Sequence, residues 1–257
     1  MKQDDLVTHT EHVMGTVVSF ALQAGDLPGA ELQAALRAAC AVLHDADAVF
    51  STWNPDSPLS QLRGRPQPTS HDGQPPGMAE VQAACRQARA ASGGWFDPWA
   101  MPGGYDPTGL VKGWAVEAAL RVLHQSGVPA ALVNGGGDVA AFGMPGPGRC
   151  WRAGIRHPWR ASGLAAVVEV HGAVATSASY ERGAHLVDPR TGQPGCQAAS
   201  ATVTGPSLAQ ADALATGLAV GGDAALHVIS GLAGYQAYLI RPDGSESWTP
   251  GMEFASG

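Results

Sequence analysis

The sequence is poor in charge, in cysteine and in long apolar runs, and each shortage excludes a class of protein. Charged residues make up 14% of the 257 residues, and 22 acidic residues against 15 basic ones give a formal net charge of −7. A nucleic-acid binder needs clustered Lys and Arg to contact phosphates, so we expect no nucleic-acid partner. No run of about 18 apolar residues is present, so we expect no membrane span.

The four cysteines, Cys40, Cys85, Cys150 and Cys196, lie far apart and form no close pair such as C-x-x-C. We therefore expect neither a disulfide framework nor a zinc site. Cys40 and Cys85 fall in Ala-rich helical stretches, where a free cysteine acts as a small apolar side chain. The N-terminal residues contain no hydrophobic signal core, so we expect a cytoplasmic protein, although removal of a leader would leave the same sequence.

The composition is otherwise that of a globular protein, with 45% apolar residues and many predicted turns from 34 Gly and 19 Pro. Val- and Phe-rich patterning predicts one long β-segment at His12–Gln23. Apolar periodicity predicts helices at Glu31–Asp47, roughly Ala79–Ala91, and between Lys112 and Gly127. Short strand-like runs recur at Ala130–Val133, Trp151–Ile155, Ala165–Val170, Ala201–Thr204 and Gln236–Ile240. The sequence has no repeat and no clean linker, so we expect one α+β domain over residues 1–257. A division of this domain into two lobes around a cleft remains an alternative.

One further predicted helix combines an apolar surface with two polar side chains. Ser207 can cap it, Gln210 would complete a capping box, and the Gly pair at 221–222 stops it. The residues between are nearly all apolar, as in an interior helix. Asp212 and Thr216 share one face at i, i+4 spacing, and a buried carboxylate needs a partner. That partner is either a backbone or Arg donor, or a hard cation such as Mg²⁺, which prefers oxygen ligands.

A glycine run, Asn134-Gly-Gly-Gly-Asp138, follows a predicted strand. Gly135, Gly137 and Ala140 formally match the G-x-G-x-x-A dinucleotide fingerprint, which needs a helix whose N-terminus meets a pyrophosphate. The turn-rich segment 143–148 follows within a few residues and leaves no room for that helix, so we do not expect a Rossmann fold. The glycines still indicate a backbone that passes close to a ligand or to another strand.

A series of short motifs spans roughly residues 12 to 220. The most specific are His185-Leu-Val-Asp-Pro-Arg-Thr-Gly192 and Ala211-Asp-Ala-Leu-Ala-Thr216. The other pieces are Met14-Gly-Thr16, Phe50-Ser-Thr-Trp53 with Asp56-Ser57, Phe96-Asp97-Pro98, Asp106 to Gly113, Val133-Asn-Gly-Gly-Gly-Asp138, and Ala175-Thr-Ser177 with Tyr180-Glu-Arg182. In this order they resemble the ApbE-type flavin transferases, the FAD:protein FMN transferases. Two departures are Ala178, where Gly is usual, and a short, glycine-rich loop from Trp99 to Tyr105.

The resemblance implies an α+β fold in which β-sheets flanked by helices surround a flavin-nucleotide cleft. It also implies a Mg²⁺-dependent enzyme that binds FAD and transfers its FMN half to a Thr or Ser hydroxyl of an acceptor protein, releasing AMP. Carried over by position, the implied metal ligands are Asp212, Thr216 and the backbone carbonyl of Gly109. Met14 and Trp53 are the implied flavin contacts, and Phe96, Asp97 and Pro98 would line the adenine side. Asp106 and Lys112 are the implied contacts to the nucleotide. His185 stands at the motif position associated with the transfer step.

The chemistry of these residues agrees with those roles. An all-oxygen ligand set suits Mg²⁺ and does not suit zinc. An indole such as Trp53 can stack on a flavin, which contributes about 1 kcal/mol beyond its buried area. His185 can accept the proton of an attacking hydroxyl near neutral pH.

Simpler roles remain open for four of these residues. Trp53 can be a peripheral core residue and Lys112 a solvated charge at the start of a helix. His185, with Asp188, can brace its turn, and Thr216 can bond the carbonyl one helical turn back. Two other functions also remain open: a FAD pyrophosphatase that releases FMN and AMP, and a flavin-binding protein without turnover.

Overall fold

A computed structural model describes residues 6–63, 74–178 and 186–255. Its main sheet has eight antiparallel strands in the spatial order β1-β2-β3-β4-β7-β10-β11-β12. These strands are β1 (Leu6–Val13), β2 (Thr16–Gln23), β3 (Ala130–Gly135), β4 (Asp138–Phe142), β7 (Ala173–Ala178), β10 (Ser200–Gly205), β11 (Gln236–Ile240) and β12 (Glu246–Trp248). Two small hairpins pair β5 (Arg152–Arg156) with β6 (Leu164–Glu169) and β8 (Val187–Asp188) with β9 (Gln193–Pro194).

The helices that the structure describes are α1 (Gly29–Phe50), α2 (Pro58–Leu62), α3 (Met78–Ala91), α4 (Thr108–Gln125) and α5 (Leu208–Ser230). The four long helices coincide with the predicted ones. Each observed helix extends beyond its predicted bounds at one end or at both ends. The mixture of helices with an antiparallel sheet confirms the α+β prediction.

Alternate residues of the central strands point to opposite faces of the main sheet. On β11, Ala237 and Leu239 join an apolar core with α1, α4 and α5, whereas Tyr238 and Ile240 join a second cluster against the β5–β6 hairpin. The sheet therefore has helices on one face and the hairpin on the other. A third cluster, to which α3 contributes, packs against the N-terminal parts of α4 and α5.

The predicted β-segment at His12–Gln23 is confirmed as strand over Thr16–Gln23, but its continuity is wrong, because a turn at Met14 and Gly15 makes β1 and β2 a hairpin. The turn consists of Met14 (φ 54°) and Gly15 (φ 67°). Met14 is the one non-glycine residue with positive φ among the described residues. Such a backbone is unfavourable for an L side chain, so sequence propensity gave no sign of a turn there.

The glycine run also forms a hairpin turn, between β3 and β4. Gly136 (φ 66°) and Gly137 (φ 110°) make the turn, and the Gly137 N–H donates to Asn134 Oδ1 at 2.8 Å. No helix follows β4 directly, which confirms that this is not a Rossmann fingerprint.

The predicted start of α5 is confirmed, but its capping box is not formed. Ser207 Oγ accepts the Gln210 N–H at 3.4 Å, while the Gln210 side chain donates to Ala84 O instead. Glu117 of α4 takes its place and accepts from Ser207 Oγ at 2.9 Å and from the Ala209 N–H at 3.2 Å. At Gly222 (φ 53°, ψ −130°) the helix kinks and then continues, so the glycine pair bends the helix without ending it.

α5 is also the one helix, among those described, that is long and apolar enough to cross a membrane. However, 61% of its most apolar stretch is buried inside the protein. A central core helix meets the same criteria of length and composition.

Candidate functional site

A cleft lies where the first turns of α4 meet α5 and the end of β7. The loop between α3 and α4 and the segment Leu186–Val187 complete its walls. The sequence-predicted residues that line this first cleft are Phe96, Asp97, Pro98, Asp106, Gly109, Lys112, Asp212 and Thr216. The structure thus brings the predicted metal ligands and nucleotide contacts together from distant parts of the chain.

The three predicted metal ligands lie at the contact between α4 and α5. The buried Asp212 accepts the Gly113 N–H on Oδ2 at 3.1 Å. Thr216 Oγ1 lies 3.3 Å from Ser177 Oγ of β7, so its hydroxyl contacts another element. A Cβ atom on Gly109 would lie 3.1 Å from Thr216 Oγ1, so the backbone of Gly109 passes close to that hydroxyl.

Gly113 makes the close approach of the two helices possible. A Cβ atom at this position would lie 2.6 Å from the Leu208 carbonyl oxygen and 3.1 Å from Asp212 Cβ. Any larger side chain would therefore push α4 away from α5 and move Asp212 relative to Gly109.

The oxygen atoms in this part of the first cleft fit a hard divalent cation as ligands. The Asp212 carboxylate, the Thr216 and Ser177 hydroxyls and the backbone near Gly109 offer oxygen atoms, the ligand type that Mg²⁺ prefers. Phosphate groups and water can occupy the remaining coordination positions of such an ion.

Lys112 forms an ion pair with Asp138, which is 1% exposed at the start of β4. Asp138 Oδ1 also accepts the Thr176 N–H at 3.0 Å. The Lys112 side chain is itself only 19% exposed, so Lys112 is not a solvated charge at a helix start. The pair fixes a cation among the residues that line the first cleft, where an anionic ligand can contact it.

The other two carboxylates of the first cleft are already held by protein groups. Asp97 pairs with Arg89 of α3 at 2.6 Å and accepts the Trp99 N–H at 3.0 Å. Asp106 pairs with Arg63 at 3.2 Å and accepts from Thr108 Oγ1 at 2.7 Å. These contacts shape the loop between α3 and α4.

A buried thiol of α3 and a buried phenol of that loop are in contact. The Tyr105 hydroxyl lies 3.7 Å from Cys85 Sγ of α3, and both side chains are buried. Burial raises the pKa of Cys85 to about 12 and raises the pKa of Tyr105 far above its ordinary value. Both groups are therefore neutral at physiological pH and serve packing.

A second cleft adjoins the first and shares Thr108 and Lys112 with it. The two residues predicted to contact flavin, Met14 and Trp53, both line it. Trp53 is 92% exposed, so it is not a peripheral core residue. Met14 is held at the β1–β2 turn by its N–H, which donates to Asp47 Oδ2 of α1 at 3.2 Å.

His185 lies outside the described residues, so its predicted role stays a prediction. Its motif continues into the β8–β9 hairpin, where Asp188 braces the turn. Asp188 Oδ1 accepts the Arg190 N–H at 2.9 Å, and the Asp188 carbonyl accepts the Gly192 N–H at 2.8 Å. The bracing role of Asp188 is therefore confirmed.

Several residues of the two clefts were not assigned from the sequence. Ser177 lay inside a recognised motif but carried no role, and Thr108 followed directly on Asp106-Pro107. Asp47 of the second cleft gave no signal, nor did Arg63, which lines neither cleft but pairs with Asp106, because both depend on partners remote in sequence.

Comparison with known proteins finds relatives over most of the chain. The sequence model of the ApbE family matches residues 14–103 and 104–239. The FAD:protein FMN transferase of Klebsiella pneumoniae (strain 342) is 33% identical over 144 residues, which cover 52% of this chain and 41% of that protein. The protein of the same name from Rhodobacter capsulatus is 36% identical over 151 residues, covering 55% and 29%. The matched part thus spans less than half the length of these curated relatives.

Solved structures agree over nearly the whole chain. The apo form of the Pseudomonas stutzeri flavinyl transferase ApbE is similar with a TM-score of 0.81 and 25% identity, covering 96% of this chain and 95% of that one. With the family match over both clefts and the shared fold, the chain belongs to the ApbE family.

Proposed function

We propose that this protein transfers the FMN half of FAD to a Thr or Ser hydroxyl of an acceptor protein, in a Mg²⁺-dependent reaction that releases AMP. The observation that carries the proposal is the pair of clefts that meet at Thr108 and Lys112. FAD has two ring systems joined by a pyrophosphate, and a two-part cavity with a cation at the junction suits that shape. The names of the curated relatives, FAD:protein FMN transferase, support the same activity.

In this proposal the flavin occupies the second cleft and the adenine half the first. Trp53 and Met14 contact the flavin ring, while Phe96 and Pro98 form an apolar wall on the adenine side. Lys112, fixed by Asp138, places a positive charge beside the pyrophosphate. This charge favours the phosphates and orients them at the junction.

Asp212, Thr216 and the Gly109 carbonyl would hold the Mg²⁺, which when bound neutralises charge on the phosphates. The acceptor hydroxyl oxygen forms a bond to the phosphorus of the FMN half, and the bond from that phosphorus to the bridging oxygen breaks. The bridging oxygen leaves with AMP. His185 is the proposed acceptor of the hydroxyl proton.

The test is mass spectrometry of an acceptor polypeptide with a single Thr after incubation with the protein, FAD and Mg²⁺. Transfer adds the mass of FMN less one water and releases one AMP per adduct. A Thr→Val acceptor should gain no mass, and chelation of the metal should stop the reaction.

The products separate the proposal from its two alternatives. Release of FMN and AMP in equal amounts, without an adduct on any acceptor offered, identifies a FAD pyrophosphatase. Tight FAD binding with neither product identifies a flavin-binding protein without turnover. His185→Ala should bind FAD and Mg²⁺ yet transfer about 10²–10⁴-fold more slowly, as expected for loss of a general base.

A further inference from the structure

Three side chains with metal-binding atoms, His9, Glu11 and Cys40, meet between β1 and α1, and His44 contacts the same Glu11; none of the four lines either cleft. His9 and Glu11 lie two residues apart on β1 and therefore point to the same side of the strand. Cys40 and His44 lie four residues apart on α1 and share one face of the helix. Because β1 packs against α1, the two pairs face each other.

The Glu11 carboxylate lies at the centre of this cluster. His9 Nε2 is 3.3 Å from Glu11 Oε2, and His44 Nε2 is 3.1 Å from Glu11 Oε1. One ligand atom from each of His9, Glu11 and Cys40 lies within 4.8 Å of the other two. Zinc bonds of about 2.0–2.3 Å place tetrahedral ligand atoms roughly 3.3–3.8 Å apart. An inward movement of about 1 Å thus brings these three atoms to tetrahedral spacing, and His44, whose Nε2 already contacts Glu11, must turn toward them to become the fourth ligand.

We propose that His9, Glu11, Cys40 and His44 bind one Zn²⁺ ion, which joins β1 to α1. Two imidazoles, one thiolate and one carboxylate are ligands that zinc accepts in structural and catalytic sites. Mg²⁺ prefers oxygen ligands alone, so this site differs in chemistry from the one at Asp212. Sequence spacing gave no sign of it, because the ligands come from two elements that meet only in the fold.

Charge and access also suit a zinc ion. One thiolate and one carboxylate neutralise its two positive charges, and the imidazoles bind as neutral ligands. Cys40 is 8% exposed, whereas the His44 side chain is 53% exposed, so the site has a closed inner end and an open outer end. When zinc binds, the sulfur–zinc bond forms and the thiol proton passes to solvent.

A zinc ion at this location would stabilise the contact between β1 and α1. Among the described residues β1 pairs with β2 alone, at the edge of the main sheet, and it also packs against α1. The same hairpin ends at Met14, which is bonded to Asp47 one turn beyond the ligands of α1. A ligand that binds only the folded state raises stability by mass action, so zinc should raise the melting temperature.

The test uses the full chain, stripped of metal and kept in excess Mg²⁺ so that oxygen-ligand sites are filled. We expect one equivalent of Zn²⁺ per chain in a titration against a chromophoric chelator. Co²⁺ in its place should give tetrahedral ligand-field bands and a thiolate-to-cobalt charge-transfer band. His44→Ala, a substitution at a half-exposed helical position, should weaken zinc binding by at least about 100-fold, more than the loss of an outer-shell partner costs.

Cys40→Ala should abolish the charge-transfer band and the zinc-dependent rise in melting temperature. Cys196→Ser is the matched control, because that thiol donates to the Ala198 carbonyl outside the cluster, and it should behave as the wild type. The proposal is overturned if the stripped protein takes up no Zn²⁺ in excess Mg²⁺. It is also overturned if Cys40→Ala and His44→Ala bind zinc as tightly as the wild type.

Discussion

The two clefts that meet at Thr108 and Lys112 are built from very different parts of the molecule. In the first, Asp212 and Thr216 are fixed on α5, and Gly113 lets α4 approach so closely that a Cβ atom would overlap the Leu208 carbonyl. In the second, Trp53 is almost fully exposed on a loop, and Met14 sits at the tip of a hairpin. The polar groups of the first cleft are thus held by packing, whereas the Trp53 indole of the second is almost fully exposed.

This contrast suits the division of work that we propose. Groups that act on phosphates need fixed positions, because electrostatic stabilisation depends on donors and charges placed in advance. A flat ring needs only a surface to stack on, and a mobile aromatic side chain can adjust to it. Substitutions in the first cleft should therefore reduce catalysis or stability, while substitution of Trp53 in the second should affect binding alone.

Asp212→Asn should have the largest effect, a loss of about 10³-fold in Mg²⁺-dependent product formation, since metal charge stabilisation is worth several kcal/mol. The fold should survive, because an amide oxygen can still accept the Gly113 N–H. The measurement is turnover across a Mg²⁺ titration, with Asp26→Asn in the exposed loop before α1 as the control. Undiminished turnover at low Mg²⁺ would remove Asp212 from the metal site.

Lys112→Met should have the next largest effect, and it should appear in stability. The substitution leaves the buried Asp138 without its cation. Breaking a buried ion pair lowers the free energy of unfolding by about 3–5 kcal/mol, and the partial exposure of Lys112 places this loss at the lower end. Urea unfolding measures it. The double variant Lys112→Met/Asp138→Asn should recover most of the loss, because Asn can still accept the Thr176 N–H. An unchanged midpoint in the single variant would show that the pair is not stabilising.

The parts of the site that the sequence predicted are those that depend on local pattern. Ser207, Asp212 and Thr216 were placed correctly because the apolar periodicity of α5 fixes which residues share a face. The pairs Asp97–Arg89 and Asp106–Arg63 were not predictable, because each joins elements whose packing no local signal encodes. Glu117 replaced Gln210 in the cap for the same reason.

The exposure of Trp53 and the turn at Met14 show a second limit. An aromatic residue next to a polar loop has the same sequence signature whether it is buried or exposed. A positive φ at Met14 is against its propensity, and such positions are recognised only when the backbone is seen. The resemblance assigned both residues to the flavin and both line the second cleft, but the turn at one and the exposure of the other were not predicted from the local pattern.

Tyr105→Phe should have a smaller effect that depends on pH. Burial raises the pKa of Tyr105 above its ordinary value, so the folded state keeps a proton that the unfolded state loses. The wild type should therefore lose stability as pH rises above about 10, the unfolded pKa of tyrosine. Removing the phenol removes that contribution, so the urea midpoint of Tyr105→Phe should fall less steeply above this pH. Parallel curves for the two proteins would contradict the assignment.

Trp53→Ala should have the smallest effect and should be confined to binding. Stacking contributes about 1 kcal/mol beyond buried area, so the Kd for FAD should rise about tenfold, while kcat at saturating FAD and the urea midpoint stay unchanged. An interaction that is equal in ground and transition states appears in KM and not in kcat. Flavin fluorescence titration measures the Kd, and Trp53→Phe should retain part of the affinity.

Trp159→Ala is the matched control, because that indole is also exposed, at 55%, but lies between β5 and β6 away from the residues that line the clefts. It should leave the Kd for FAD unchanged. Equal affinity in Trp53→Ala and the wild type would show that the exposed indole does not contact the flavin. A fall in kcat with unchanged Kd would instead place Trp53 with the groups of the first cleft and remove the distinction between the two.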